Sequence, residues 1–172
     1  VTQKIEKNND HISHAIQQWQ REKPDLESHE MLLIGRLINC TILISDELEK
    51  LYATHHINRG EFDVLATLRR GGKPYELTPT ELFSTLMITS GTMTNRLQQL
   101  KKKGLITRIA NPQDARSLKV VLSPKGLAVI DQLIYQHVAL EKTLYQLIPQ
   151  ETQRALEAHL GDWLQGLRER NI

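Results

Sequence analysis

The sequence predicts a mainly α fold: a winged helix-turn-helix with a two-stranded β wing, flanked by long N- and C-terminal dimerisation helices. Three observations predict it. Two capped amphipathic segments between Thr78 and Lys103 meet at a short turn and stop at Gly104. Two β-rich runs, Leu105–Ile109 and Ser117–Leu122, follow across a turn-rich loop. Long apolar stripes at helical spacing occupy both flanks. Residues 1–57 are read as N-terminal helices, 58–126 as the winged lobe and 127–172 as C-terminal helices, within one structural domain.

In order, Ile5, Ile12, Ile16 and Trp19 predict a helix over 4–21 that ends before Pro24. Ser28 is placed to cap a second helix, His29 to about His55, with Met31, Ile34, Leu37, Ile38, Thr41, Ile44, Leu48, Leu51 and Tyr52 on its apolar side. Asn58-Arg-Gly-Glu61 has capping-box spacing and opens a helix that stops at Gly71-Gly72. Thr78-Pro-Thr-Glu81 is a second capping box, with Pro at the first helical position. Thr89-Ser90 is placed to cap the next helix, and Ala110–Arg116 is read as the loop between the two strands. Ser123-Pro124 and Pro149 open the last two helices.

Composition bounds the function. The chain has 172 residues, 40% hydrophobic and 24% charged, which suits a globular domain with helical extensions. No apolar run approaches the ~20 residues of a membrane span, so no membrane partner is expected. The first residues, VTQKIEKNNDHIS, lack the apolar centre of a secretory signal. The single Cys40 cannot form an internal disulfide, which fits a reducing cytoplasm. Cys40 is read as a buried structural thiol beside Ile38 and Ile42, with a redox switch as the alternative. Seven scattered histidines form no ligand cluster, and no phosphate loop or nucleophile motif is present. The reading is therefore not an enzyme, with no cofactor and no metal.

Net charge is +2, but residues 96–125 carry eight basic side chains against one acid, a local +7, leaving 14 against 19, or −5, elsewhere. A cationic lobe on a mildly anionic body suits a polyanion partner; the alternative is a solvated charge run. The helix after Thr89 separates the two. Met93, Leu97, Leu100 and Gly104 recur at inward spacing. Gly91, Asn95, Gln98 and Lys102 then point outward, a polar face suited to a major groove. Ser90, Thr92, Thr94, Asn95, Gln98 and Lys102 are the candidate contacts to double-stranded DNA. Arg116 at the wing tip suits a minor groove, braced by Asp114; the alternative is a salt bridge that only stabilises the hairpin. The flanking helices carry more apolar surface than the lobe can cover, which points to a homodimer.

The run from Gly60 to Gly126 resembles the MarR family of winged-helix transcription regulators. TSGTMTNRLQQLKKKGLITR, Asp114-x-Arg116 and SPKG carry the resemblance. It implies a homodimer whose recognition helices and wings grip a pseudo-palindromic operator. Trp19-Gln-Arg-Glu-Lys-Pro-Asp-Leu and Gly35-Arg-Leu look like the urate-responsive, PecS-like branch with its added N-terminal helix. That branch implies a ligand pocket formed with Trp19, Asp63, Arg96 and Arg108, and a repressor released by urate or a similar small anionic aromatic ligand. The residues support the four unevenly. Arg96 lies roughly 70° from the apolar centre of its helix. Trp19 offers a stacking face or a dimer-core aromatic. Asp63 falls on a polar side and rests on the resemblance alone, and Arg108 serves a ligand or a phosphate. Other readings are a MarR-type sensor of phenolic carboxylates, oxidation at Cys40, or an unregulated architectural DNA binder.

Overall fold

The computed structural model describes residues 10–86, 90–112 and 114–170, with backbone alone at 90 and 114–116. The order is α1 (His11–Glu22), α2 (Glu30–Ala53), α3 (Arg59–Arg70), β1 (Glu76–Leu77), α4 (Pro79–Leu86), α5 (Ser90–Lys102), β2 (Ile106–Asn111), β3 (Asp114–Leu122), α6 (Pro124–Tyr145) and α7 (Gln150–Glu169). The fold is mainly helical with one small antiparallel sheet. Contacts divide the chain into two compact units between Glu47 and Leu48, within α2.

In the first unit, α1 begins at His11, and Ile5 lies outside the described residues. Asp10 caps the helix, its carboxylate accepting from the Ser13 amide at 2.8 Å. Arg36 of α2 donates to the same carboxylate at 2.8 Å and to the Ser13 hydroxyl at 3.1 Å. Beside it, a Cβ on Gly35 would lie 2.8 Å from Cγ2 of Ile12. Gly35-Arg36 is thus the seat of α1: one residue clears the space and the next supplies the bonds. Much of the α2 stripe stays open, with Ile34 43% and Ile38 55% exposed, and Ile42 beside it is 53% exposed. Cys40 is exposed too, which corrects the expected buried thiol. Its apolar neighbours along α2 are themselves uncovered, so they do not bury it.

The second unit holds one core. Leu65 and Leu68 of α3, Leu82 of α4, Leu97 and Leu100 of α5, Ile106 and Val120 of the sheet, and Ile130 and Leu133 of α6 meet in it. Both capping boxes form. Asn58 accepts from the Glu61 amide at 2.9 Å while Glu61 accepts from the Asn58 amide at 2.9 Å. Thr78 and Glu81 make the same exchange at 3.2 and 2.7 Å. Tyr52 stacks on Phe62 with ring centroids 4.5 Å apart, and its hydroxyl meets Nδ1 of His137 at 3.0 Å. Burial first, then the nearby Asp63 charge, pushes the Tyr52 phenol up to about 12.

The wing has a third strand. β1 pairs with β3 (Glu76↔Val121, Leu77↔Val120), giving the order β1-β3-β2. Two residues carry no alternation to read, so only the pairing reveals this strand. The loop expected over Ala110–Arg116 is shorter than predicted, because β2 runs to Asn111 and β3 starts at Asp114. Pairing jumps from Ala110↔Leu118 to Asn111↔Asp114, and Asn111 Nδ2 donates across the irregularity to Ser117 Oγ at 2.8 Å. Ser123 caps α6 by accepting from the Gly126 amide at 2.9 Å and donates to the Gly104 carbonyl at 2.7 Å. A Cβ on Gly126 would lie 1.9 Å from the Leu105 carbonyl oxygen, so the glycine permits α6 to start hard against the turn after α5.

Candidate nucleic-acid interface and ligand cleft

Helix α5 packs on α3, α4 and β2 through Met93, Leu97 and Leu100, all buried. Its other face is open: Thr92, Thr94, Asn95, Gln98, Lys101 and Lys102 are exposed. This is the split expected from helical angle, since residues three and four apart share a face. Ser90 begins the helix, but its side chain lies outside the described residues, as does the Thr89 cap. Gly104 ends the turn beyond the helix with a φ of 71°, a conformation that favours glycine. The side chains of Asp114 and Arg116 also lie outside the described residues, though their backbone stands at the start of β3.

The cationic count shrinks in three dimensions. Lys103 donates to Glu61 at 2.6 and 2.7 Å, and Lys119 to Glu76 at 2.7 Å. Lys125 turns back to the Lys103 carbonyl at 3.0 Å. Glu61 and Glu76 precede the basic segment in the chain, so a segment sum misses them. Lys101, Lys102 and Arg108 remain exposed on α5 and β2.

Of the four expected ligand residues, Asp63 and Arg96 come together. Arg96 Nη1 lies 4.0 Å from Asp63 Oδ2, near enough for charge attraction and too long for a hydrogen bond. Among the described residues that nitrogen is buried without a hydrogen-bond partner. Burial pushes the Asp63 carboxyl above its ordinary value, while Arg59, then Arg96, then Arg70 pull it down. Sequence periodicity saw no reason to bury Asp63; α3 and α5 together half-bury it. Arg96 lines an open cleft of about 660 Å³ with Asn58, Gly60, Glu61, Gly91, Thr92, Asn95 and Gln99. Arg108 is not among the lining residues; it stands exposed on β2 opposite Val120. Trp19 belongs to the first unit, where it is 46% exposed on α1 and lines an open depression of about 550 Å³ with Gln18 and Glu22.

Gly60 and Gln99 are cleft residues that the sequence reading passed over. The signal was present: Gly60 lies three residues before Asp63, and Gln99 three after Arg96, each on its partner's helix face.

A helix packed beneath an exposed polar face, followed by a β wing, defines the winged helix-turn-helix class. The pattern of the MarR family matches residues 56–117. The HTH-type transcriptional regulator PecS of Dickeya dadantii is 37% identical over 150 residues, 87% of this chain and 90% of that protein. The multiple antibiotic resistance protein MarR of Salmonella typhimurium is 35% identical over 105 residues, 60% of this chain and 71% of that protein. A crystal structure of a mutant MarR from E. coli complexed with operator DNA superposes with a TM-score of 0.69 at 28% identity, covering 81% of this chain and 99% of that one. AbsC, a MarR family transcriptional regulator of Streptomyces coelicolor, shares the fold at a TM-score of 0.73 and 19% identity, over 84% and 97% of the two chains. The chain belongs to the MarR family and is a DNA-binding transcription regulator of the MarR/PecS type. Among the described residues no helix is long and apolar enough to cross a membrane.

Proposed function

We propose that the protein is a repressor that grips a pseudo-palindromic operator as a homodimer and leaves it when urate or a similar anionic aromatic ligand binds beside Arg96. One observation carries the reading. Arg96 shares α5 with the exposed Thr92, Asn95 and Gln98, yet its guanidinium lies against α3 with an unsatisfied nitrogen. A half-buried guanidinium with one nitrogen lacking a hydrogen-bond partner attracts an anion. The cleft it lines also takes in Thr92 and Asn95, so an occupant would sit beside the groups assigned to DNA.

In this scheme Ser90, Thr92, Thr94, Asn95, Gln98 and Lys102 read or flank the major groove, and Arg116, braced by Asp114, enters the minor groove. Asp63 and Arg96 hold the ligand, and Trp19 and Arg108 are the further residues on which the response depends. Residues 1–57 and 127–172 supply the dimer contacts. The DNA complex of the E. coli relative supports the operator partner. The work is binding, with no catalytic step. A ligand need only favour the DNA-incompetent state, by ~1–3 kcal/mol in typical coupling.

The test is operator binding by fluorescence anisotropy across salt and urate. Affinity should fall steeply with salt. Urate should raise the dissociation constant, and Trp19→Ala or Arg96→Ala should remove that response. Urate at millimolar concentration leaving the complex intact would end the urate assignment. Release by salicylate instead would point to phenolic carboxylates, and no release by either to an architectural binder. The exposure of Cys40 favours a second reading, release on oxidation. An unchanged peroxide response in Cys40→Ser removes it.

A further inference from the structure

Gly60 lies in the first turn of α3, one turn before Asp63 and on the same face. A Cβ built on it would stand 2.3 Å from Nε, 2.5 Å from Cζ and 2.9 Å from Nη2 of Arg96. All three are far inside van der Waals contact, so the guanidinium occupies the space that any other side chain would need. We propose that Gly60 is the positioning residue for Arg96: its missing side chain lets the guanidinium lie flat on α3, over Asp63 and into the cleft. The consequence for ligand release rests on the reading of Arg96 above; the positioning itself does not.

With alanine at this position, the guanidinium gives way rather than the backbone. It is the far end of a flexible chain, whereas the α3 backbone is locked by the Asn58–Glu61 capping box. Gly60 has no positive φ, so alanine fits the backbone, and alanine is the better helix former. Gly60→Ala should therefore keep or raise the melting temperature, which separates displacement of Arg96 from loss of fold. Displacing Arg96 withdraws one of the positive charges that hold the Asp63 carboxyl down.

The experiment uses the full chain as wild type, Gly60→Ala, Arg96→Gln and the double variant. The Asp63 carboxyl is titrated by NMR without ligand. Its midpoint should move up in Gly60→Ala by as much as in Arg96→Gln, and no further in the double variant. An unmoved Asp63 midpoint in Gly60→Ala overturns the positioning role, whatever the ligand does. Operator anisotropy then follows. The urate response of each variant is read against its own urate-free operator affinity. The urate concentration that releases half the operator should rise about tenfold or more, within the span of typical allosteric coupling. A wild-type urate response alongside a shifted Asp63 midpoint overturns the link from Gly60 to sensing. If urate fails to release the wild type, the ligand reading falls, and the Asp63 titration still decides the role of Gly60.

Discussion

Lys103, just past the end of α5, donates to both carboxylate oxygens of Glu61, at 2.7 and 2.6 Å. Glu61 is 1% exposed and also caps α3 by accepting from the Asn58 amide. One carboxylate thus ties the start of α3 to the far end of α5. Lys103→Ala should leave that buried charge without its cation. Breaking a fully buried pair costs ~3–5 kcal/mol; with Lys103 itself 35% exposed, we expect roughly 1–3 kcal/mol. Urea unfolding measures it. The salt slope of operator binding should stay unchanged, because this lysine's charge is already paired.

Lys102, one residue earlier, should behave in the opposite way. It is exposed on α5, so Lys102→Ala should change stability by no more than ~0.5 kcal/mol. As a phosphate contact it should weaken all sequences alike and lower the salt slope by about 1. Asn95→Ala should instead cost ~1–3 kcal/mol on the operator and little on unrelated DNA. Equal losses on both DNAs would remove Asn95 from base reading.

Acid should loosen α1. The Ser13 amide, then the Arg36 guanidinium, hold the Asp10 carboxyl down from 3.8 to about 2. A depressed folded-state pKa contributes stability that is present above pH 3.8 and lost as pH falls through about 2. Trp19 fluorescence in a Trp163→Phe background should therefore change across that window. Asp10→Asn should abolish the transition; its persistence would place the acid sensitivity elsewhere.

Helix α7 carries Leu156, Leu160, Leu164 and Leu167 at 41%, 40%, 49% and 37% exposure, a stripe at helical spacing that this chain leaves open. Leu160→Glu should convert the proposed dimer to single chains in sedimentation and weaken operator binding, since two half-sites then bind separately. A wild type that sediments as one chain would refute the dimer.

Much of the framework that carries the candidate site was legible in sequence because it rests on local rules. Asn58–Glu61, Thr78–Glu81 and Ser123-Pro124 act within four residues, where spacing determines geometry. The outward face of α5 follows from angle alone, since Met93, Leu97 and Leu100 can only share one side. Strand β1 escaped because two residues hold no period. Cys40 misled because apolar neighbours along one helix do not show whether another element covers them.

Short-range backbone and periodic constraints account for most of the helices, the Asn58, Thr78 and Ser123 caps, the hairpin and the polar edge of α5, and these are legible along the chain. Which charges remain available is a matter of packing. Glu61 lies 42 residues from Lys103, and Glu76 lies 43 from Lys119. Arg96 meets Gly60 and Asp63 from a different helix. Such pairings arise from packing α5 and the sheet against α3, and packing depends on distances that no spacing along the chain encodes. That is why a basic segment read as one grip divides in the fold into structural lysines, exposed lysines and one arginine turned inward.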